Sequence, residues 1–262
     1  MKMMMTDMAL GPWEAKLDCL LGLKRKLVGM SFFFNSADYE NAPEKSMKTA
    51  MSYCAMVRVA ACGHARKAGV ENVRCPGARR ALGLTPADED FLSGGRYFSL
   101  GLYKDMEQAK KTAHQVSRIK ERVYGFSVGP FSLCKAPPHV VIAICDPNQA
   151  MRLIQGYIYH SGPVPVMESL GTQGVCAELT VRPFQTQKPN VSLLCSNTRF
   201  TCMWKDGELG MGMPYGIFPT MVDGVEKTLN AAEPDQKKKE ILGRAAKLDL
   251  KPDVRLGKAY YL

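Results

Sequence analysis

The feature that most constrains the fold is an uninterrupted apolar run that leads directly into a helix start. The run Pro138–Cys145 contains Val140-Val141-Ile142-Ala143-Ile144, whose length and β-branched content are typical of a buried strand. Asp146 is a favoured N-cap, and Pro147 suits the first helical position because the N–H group there has no intrahelical partner. We therefore predict a central buried strand followed by a helix that ends at Gly162.

Similar elements precede this unit. Leu27–Phe34 is a second apolar run suited to a buried strand. Ser46–Cys62 is typical of a helix with Ser46 as its cap and Gly63 at its end. A polar segment, Asp105–Val123, also has a helical pattern. Strands that alternate with helices predict the α/β class, and we expect a mixed sheet.

Short residue matches suggest that the two parts of the chain are related. Ala50-Met51 matches Ala150-Met151, and Cys75 matches Cys176, at separations of about 100 residues. Gly63 and Gly162 match in the same way. We predict two α/β halves from an internal duplication, residues 1–123 and 124–230, with a basic C-terminal tail at 231–262. One compact unit is expected, with a site at the junction of the halves.

Composition narrows the function classes. A chain of 262 residues with 46% hydrophobic residues can bury a sizeable core. No apolar run approaches the roughly 18 residues of a membrane span, and the N-terminus lacks the pattern of a signal peptide, so a cytoplasmic protein without a membrane partner is expected. The net charge of +10 suggests nucleic acid. No base-stacking motif accompanies it, so a small molecule or a redox partner is the favoured interpretation, and a homo-oligomer stays open.

The chain is rich in cysteine for such a compartment. Its nine cysteines are Cys19, Cys54, Cys62, Cys75, Cys134, Cys145, Cys176, Cys195 and Cys202. An odd number without a secretory signal argues against a disulfide framework. No Cys-x-x-Cys pair is present, so the fold would have to assemble any site with several thiolates.

Cys75 has the most informative surroundings. It precedes Pro76-Gly77 at a predicted helix start, where free backbone N–H groups and the helix dipole favour the thiolate. Arg74, Arg79 and Arg80 add positive charge nearby. A thiolate can bind metal or attack an electrophile, whereas the structural alternative is a buried cysteine at a tight turn.

Several spaced motifs resemble one known family. They are Tyr53-Cys54, Cys75-Pro76-Gly77-Ala78 with Leu82-Gly83-Leu84, Pro147-x-Gln149-Ala150-Met151, Gly174-x-Cys176 and Cys195-x-x-x-Arg199. Between about Leu20 and Leu229 the chain resembles the prokaryotic proteins called domain of unknown function 169. The resemblance implies that Cys54, Cys75, Cys176 and Cys195 are the cysteines that matter. Cys202 is an extra thiol that could substitute for Cys195.

Three kinds of function follow as hypotheses. In the leading one, Cys54, Cys75, Cys176 and Cys195 bind an iron–sulfur cluster, expected as [4Fe–4S], in a redox or cofactor-handling protein. Zinc is the alternative metal for these thiols. The second is a thiol-dependent enzyme with Cys75 as nucleophile and Arg199 binding an anionic substrate. The third is a metal-free ligand-binding module.

Overall fold

The computed structural model describes residues 10–164 and 166–257. Its strands are β1 Val28–Phe33, β2 Arg66–Ala68, β3 Gly125–Pro130, β4 Val140–Cys145, β5 Asn190–Ser192 and β6 Leu209–Pro214. Its α-helices are α1 Gly11–Leu21, α2 Ser36–Asn41, α3 Tyr53–Ala61, α4 Pro76–Ala81, α5 Glu89–Leu92, α6 Gly95–Phe98, α7 Met106–Gln115, α8 Pro147–Ser161, α9 Arg182–Thr186, α10 Ser196–Cys202, α11 Phe218–Ala232 and α12 Asp235–Leu248. A π-helix spans Gly174–Val181, and 3₁₀ turns span Val70–Asn72, Phe131–Leu133 and Tyr215–Ile217. Within the described ranges, no helix has the length and apolar character needed to cross a membrane.

The six strands form one sheet in the order β2-β3-β1-β4-β6-β5. Helices and this sheet together confirm the α/β class. The expected mixed sheet is wrong, because all five strand ladders are antiparallel. Parallel pairing occurs only as isolated bridges, Ser46 with Lys67 and Met51 with Val73, in the described part of the chain.

Strand β4 lies near the centre of the sheet, as the apolar run predicts. Val140 and Ile142 face the core shared with α3 and the π-helix, whereas Val141 and Ala143 face the core formed with α1, α8 and α11. Helix α8 begins at Pro147 with Asp146 as its cap, which accepts a hydrogen bond from the Gln149 N–H group at 2.9 Å. Burial on both faces explains why this strand lacks the polar alternation of a surface strand.

The predicted helix from Ser46 begins seven residues later, at Tyr53. Ser52 is its cap and accepts a hydrogen bond from the Ala55 N–H group at 3.2 Å. The intervening backbone is extended because it pairs elsewhere: Met51 N–H donates to the Asn72 carbonyl at 2.9 Å. Tertiary backbone pairing therefore overrides the helical pattern of this segment.

Strand order divides the sheet into two similar sets. In the first, β3 lies between β1 and β2, and in the second, β6 lies between β4 and β5. β1 and β4 meet antiparallel at the centre. The connectivity groups β3 with the first set although it follows the predicted boundary at residue 123. The duplication itself, and the domain boundaries, stay predictions.

The basic tail is part of the folded body over most of its length. Helix α12 lies against α1, and the Arg244 Nε group donates to the Cys19 carbonyl at 2.8 Å. Ile241 is buried. The side chain of Lys238 is also buried and lies 3.6 Å from the Asp235 carboxylate. This tail therefore stabilises the sheet face opposite the cysteines discussed below.

Candidate functional site

The sheet face formed with α3 brings Cys54 and Cys176 close to each other. Cys54 lies in the first turn of α3, and Cys176 lies in the first turn of the π-helix. The two helices are joined by a buried hydrogen bond between the hydroxyls of Tyr53 and Thr180, 3.0 Å apart. This hydrogen bond holds both cysteines on one side of the core.

Two glycines of β6 explain how the π-helix approaches the sheet so closely. A Cβ atom at Gly212 would collide with the Leu179 carbonyl oxygen, and one at Gly210 would collide with the Leu179 side chain. Any larger residue would push the π-helix away. π-Helical turns are rare and concentrate at functional sites.

Cys75 and Cys195 lie at the starts of two similar short helices. Each is the N-cap, of α4 and α10 respectively. In each turn the arginine four residues later donates through Nε to the carbonyl two residues before the cysteine: Arg79 to Val73, and Arg199 to Leu193. A residue in the left-handed conformation follows each helix within two positions, Gly83 (φ 74°) after α4 and Met203 (φ 49°) after α10.

All four cysteines line one pocket of about 190 Å³. Its wall comes from both segments of the chain, residues 52–102 and 171–201. Besides the thiols, the wall carries hydroxyl, aromatic and cationic side chains, including Ser52, Thr172, Thr198, Tyr97, Arg80 and Arg96. The four family-matched cysteines therefore share one concave surface, which we name the four-cysteine pocket.

The remaining cysteines do not line this pocket. Cys145 is buried in β4, Cys19 is buried in α1, and Cys134 lies at the other end of β1, close to Gly29. Cys202, the last residue of α10, is fully buried and does not line the pocket, and its role as a substitute for Cys195 stays a prediction.

Burial favours the neutral form of the inner thiols, whereas the hydrogen bonds that they accept oppose it. Burial raises the pKa of the Cys54 and Cys176 thiols above their ordinary value. The buried Thr198 hydroxyl lies 3.1 Å from the Cys54 sulfur and 2.8 Å from the Cys195 sulfur, so one oxygen serves two thiols. The Cys176 thiol donates to the Gln173 carbonyl at 3.7 Å.

The predicted iron–sulfur cluster is wrong for this structure. Among residues 10–164 and 166–257, no group of three or more His, Cys, Asp or Glu side chains is placed to hold a metal ion. Zinc, the alternative metal for these thiols, stays a prediction.

The proposed catalytic roles of Cys75 and Arg199 also lack their expected contacts. Cys75 is half-buried in the pocket wall, but its side chain makes no capping hydrogen bond to α4. Arg199 is not among the described residues that line the pocket. Its guanidinium donates instead to carbonyl oxygens of the surrounding loop, those of Leu193, Lys205, Asp206 and Glu208. Arg199 therefore holds the turn that carries Cys195.

Sequence reasoning missed the residues that close the pocket. The hydroxyl of Tyr97, on α6, donates a short hydrogen bond to the Gln173 Oε1 atom. Gln173 Nε2 donates to the Gly77 carbonyl at 3.3 Å. Gln173 has a left-handed backbone (φ 52°), which is strained for a residue other than glycine and is frequent at functional sites. No local motif marks these residues, because the fold brings them together from distant positions.

Comparison with known proteins decides the family. The family model described as uncharacterised ArCR, domain of unknown function 169, matches residues 16–224. The chain belongs to this family. An uncharacterised protein of the archaeon Methanocaldococcus jannaschii is 27% identical over 191 residues, which is 71% of this chain and 82% of that protein. No solved structure matches the chain. The resemblance inferred from the cysteine motifs is thereby confirmed.

Proposed function

We propose that this protein binds an organic small molecule in the four-cysteine pocket. The observation that carries the proposal is the convergence of Cys54, Cys75, Cys176 and Cys195 on one concave surface built from both parts of the chain. A pocket that combines apolar walls with a few fixed polar groups is the usual form of a ligand site.

Pocket size limits the ligand. The volume of about 190 Å³ is smaller than the roughly 300–1,000 Å³ of sites for drug-sized ligands. A compact metabolite therefore fits better than a nucleotide cofactor. Cys75 and Cys195 are partly exposed and would contact it, whereas Cys176 is almost fully buried behind them.

The inner thiols also suit an organic ligand. A thiol behaves as a small polarisable group that packs well against apolar atoms. The Thr198 hydroxyl, between the Cys54 and Cys195 sulfurs, fixes the orientation of both side chains. Gln173 and Tyr97 hold the opposite wall. The pocket is therefore preorganised, which reduces the entropy lost on binding.

We also propose that the pocket arose by internal duplication. The repeated turns support this origin, because Arg79 and Arg199 make the same hydrogen bond relative to their cysteines. By this correspondence, Cys75 in the first half is equivalent to Cys195 in the second. The short sequence matches had instead made Cys75 equivalent to Cys176. Cys54 and Cys176 then correspond as the cysteines of the preceding helices.

A ligand-observed NMR screen of small polar fragments tests the proposal. Thr172 is half-buried in the pocket wall, so Thr172→Trp should fill the pocket and abolish binding of most hits. Thr186→Trp is the matched control, because Thr186 is exposed on α9 and does not line the pocket. Fragments that bind wild type and both variants equally would contradict the proposal.

A further inference from the structure

The four-cysteine pocket carries an unbalanced positive charge. Arg80 and Arg96 line it, and none of the described lining residues is Asp or Glu. A third cation, Arg118, lies near this corner, with its guanidinium carbon 5.1 Å from the ring centre of Phe91, another lining residue. Positive side chains around a concave surface concentrate anions there.

Arg80 has an unused donor inside the protein. Its side chain is only 9% exposed, and its Nη1 atom lies 2.8 Å from the Asp88 carboxylate. Its Nε group has no hydrogen-bond partner among the described residues. A buried N–H group without a partner is unfavourable, so the hydrogen-bonding capacity of this guanidinium at the pocket wall is not fully used.

Arg96 supplies charge that no neighbour neutralises. It is exposed at the pocket, and within the described ranges its guanidinium forms no ion pair or hydrogen bond. Two carboxylates lie close to this corner, and solvent screens much of their charge: Asp88 is 57% exposed, and Asp90, whose Oδ1 atom lies beside Gly95, is also exposed. Arg80 and Arg96 together can hold one anionic group.

We infer that the ligand of the four-cysteine pocket is a small acid whose carboxylate or phosphate group binds Arg80 and Arg96, with its remaining atoms against the thiols. This inference rests on the proposed function. Arginine is suited to both groups because its planar guanidinium donates two parallel hydrogen bonds to paired oxygens.

Two alkylating reagents of similar size provide the test. Iodoacetate is an anion and iodoacetamide is neutral. Each forms a carbon–sulfur bond with a cysteine thiolate, releases iodide, and leaves the thiol proton in solvent. Both reagents react with the same thiolate, so the ratio of their rates cancels differences in pKa and reports the effect of reagent charge.

The rate ratio is measured at each cysteine by peptide mass spectrometry, in the folded protein and in urea. At Cys75 or Cys195 we expect the iodoacetate-to-iodoacetamide ratio to be about threefold to tenfold higher when folded. Arg96→Gln should lower this ratio toward the unfolded value, and Arg96→Lys should keep most of it. Lys239→Gln is the control, because it removes one exposed charge from α12 on the other side of the sheet.

Cys62 is an internal reference, since it is exposed outside the pocket and its ratio should not respond to Arg96→Gln. At constant ionic strength, inorganic phosphate or acetate should slow iodoacetate labelling of the pocket thiols. The more effective competitor identifies the acid as a phosphate or a carboxylate. Equal ratios in folded and unfolded protein, or an unchanged ratio in Arg96→Gln, would overturn the inference. If neither reagent labels Cys75 or Cys195, the pocket is closed and the proposed function fails with it.

Discussion

The Thr198 hydroxyl offers the sharpest test of how the pocket is held together. Thr198 is 2% exposed, and its oxygen lies within hydrogen-bonding distance of two sulfurs. Thr198→Val keeps the shape of the side chain and removes only this oxygen. Each net hydrogen bond contributes about 0.5–1.5 kcal/mol to stability, so losing both should lower the free energy of unfolding by about 2 kcal/mol. For a chain of this size the melting temperature should fall by roughly 4–8 °C.

Urea unfolding measures the change directly, provided that the m-value stays constant. Thr186→Val removes an exposed hydroxyl from α9 and should change the free energy of unfolding by less than about 0.5 kcal/mol. Cys54→Ala combined with Thr198→Val should be non-additive by about 0.5 kcal/mol or more, because the two residues share a contact. Additive effects, or a Thr198→Val change no larger than that of Thr186→Val, would refute the shared hydrogen bond.

Three further outcomes follow from other contacts. Gly212→Ala should destabilise the protein by about 1–3 kcal/mol in thermal unfolding, because its Cβ meets the Leu179 carbonyl, whereas Gly207→Ala has open space and should be nearly neutral. Burial raises the pKa of Glu178 above its ordinary value of 4.5, so the free energy of unfolding should decline as pH rises through the pKa of Glu178 in the folded protein. Glu178→Gln should remove that decline in urea titrations. Burial lowers the pKa of His139 below 6.5, so stability should also be lost as pH falls below that value, and His139→Asn should abolish this loss in the same titrations.

Local signals in the sequence predicted the elements but not their arrangement. The strand at Val140–Cys145 and the helix start at Pro147 depend on neighbouring residues alone, and both were found. The helix start at Ser46 was wrong, because pairing with residues 67–74 keeps that backbone extended. Antiparallel order depends on long connections that no local pattern records.

The candidate site was likewise predicted only in part. Family motifs identified the four cysteines that meet in the pocket, which spacing alone could not have done. The predicted cluster failed because motifs that identify cysteines do not specify how the fold arranges their side chains. Arg80 was predicted only as a neighbour of Cys75, and Arg96 and Gln173 had no signal, since α6 and the π-helix reach the pocket through tertiary contacts.

The most direct test of ligand binding is a crystal structure soaked with the fragment that binds most tightly. We expect its electron density in the four-cysteine pocket, in contact with Cys75 or Cys195, and we expect Thr172→Trp crystals to lack it. Density at any other surface, with this pocket holding only solvent, would contradict the account.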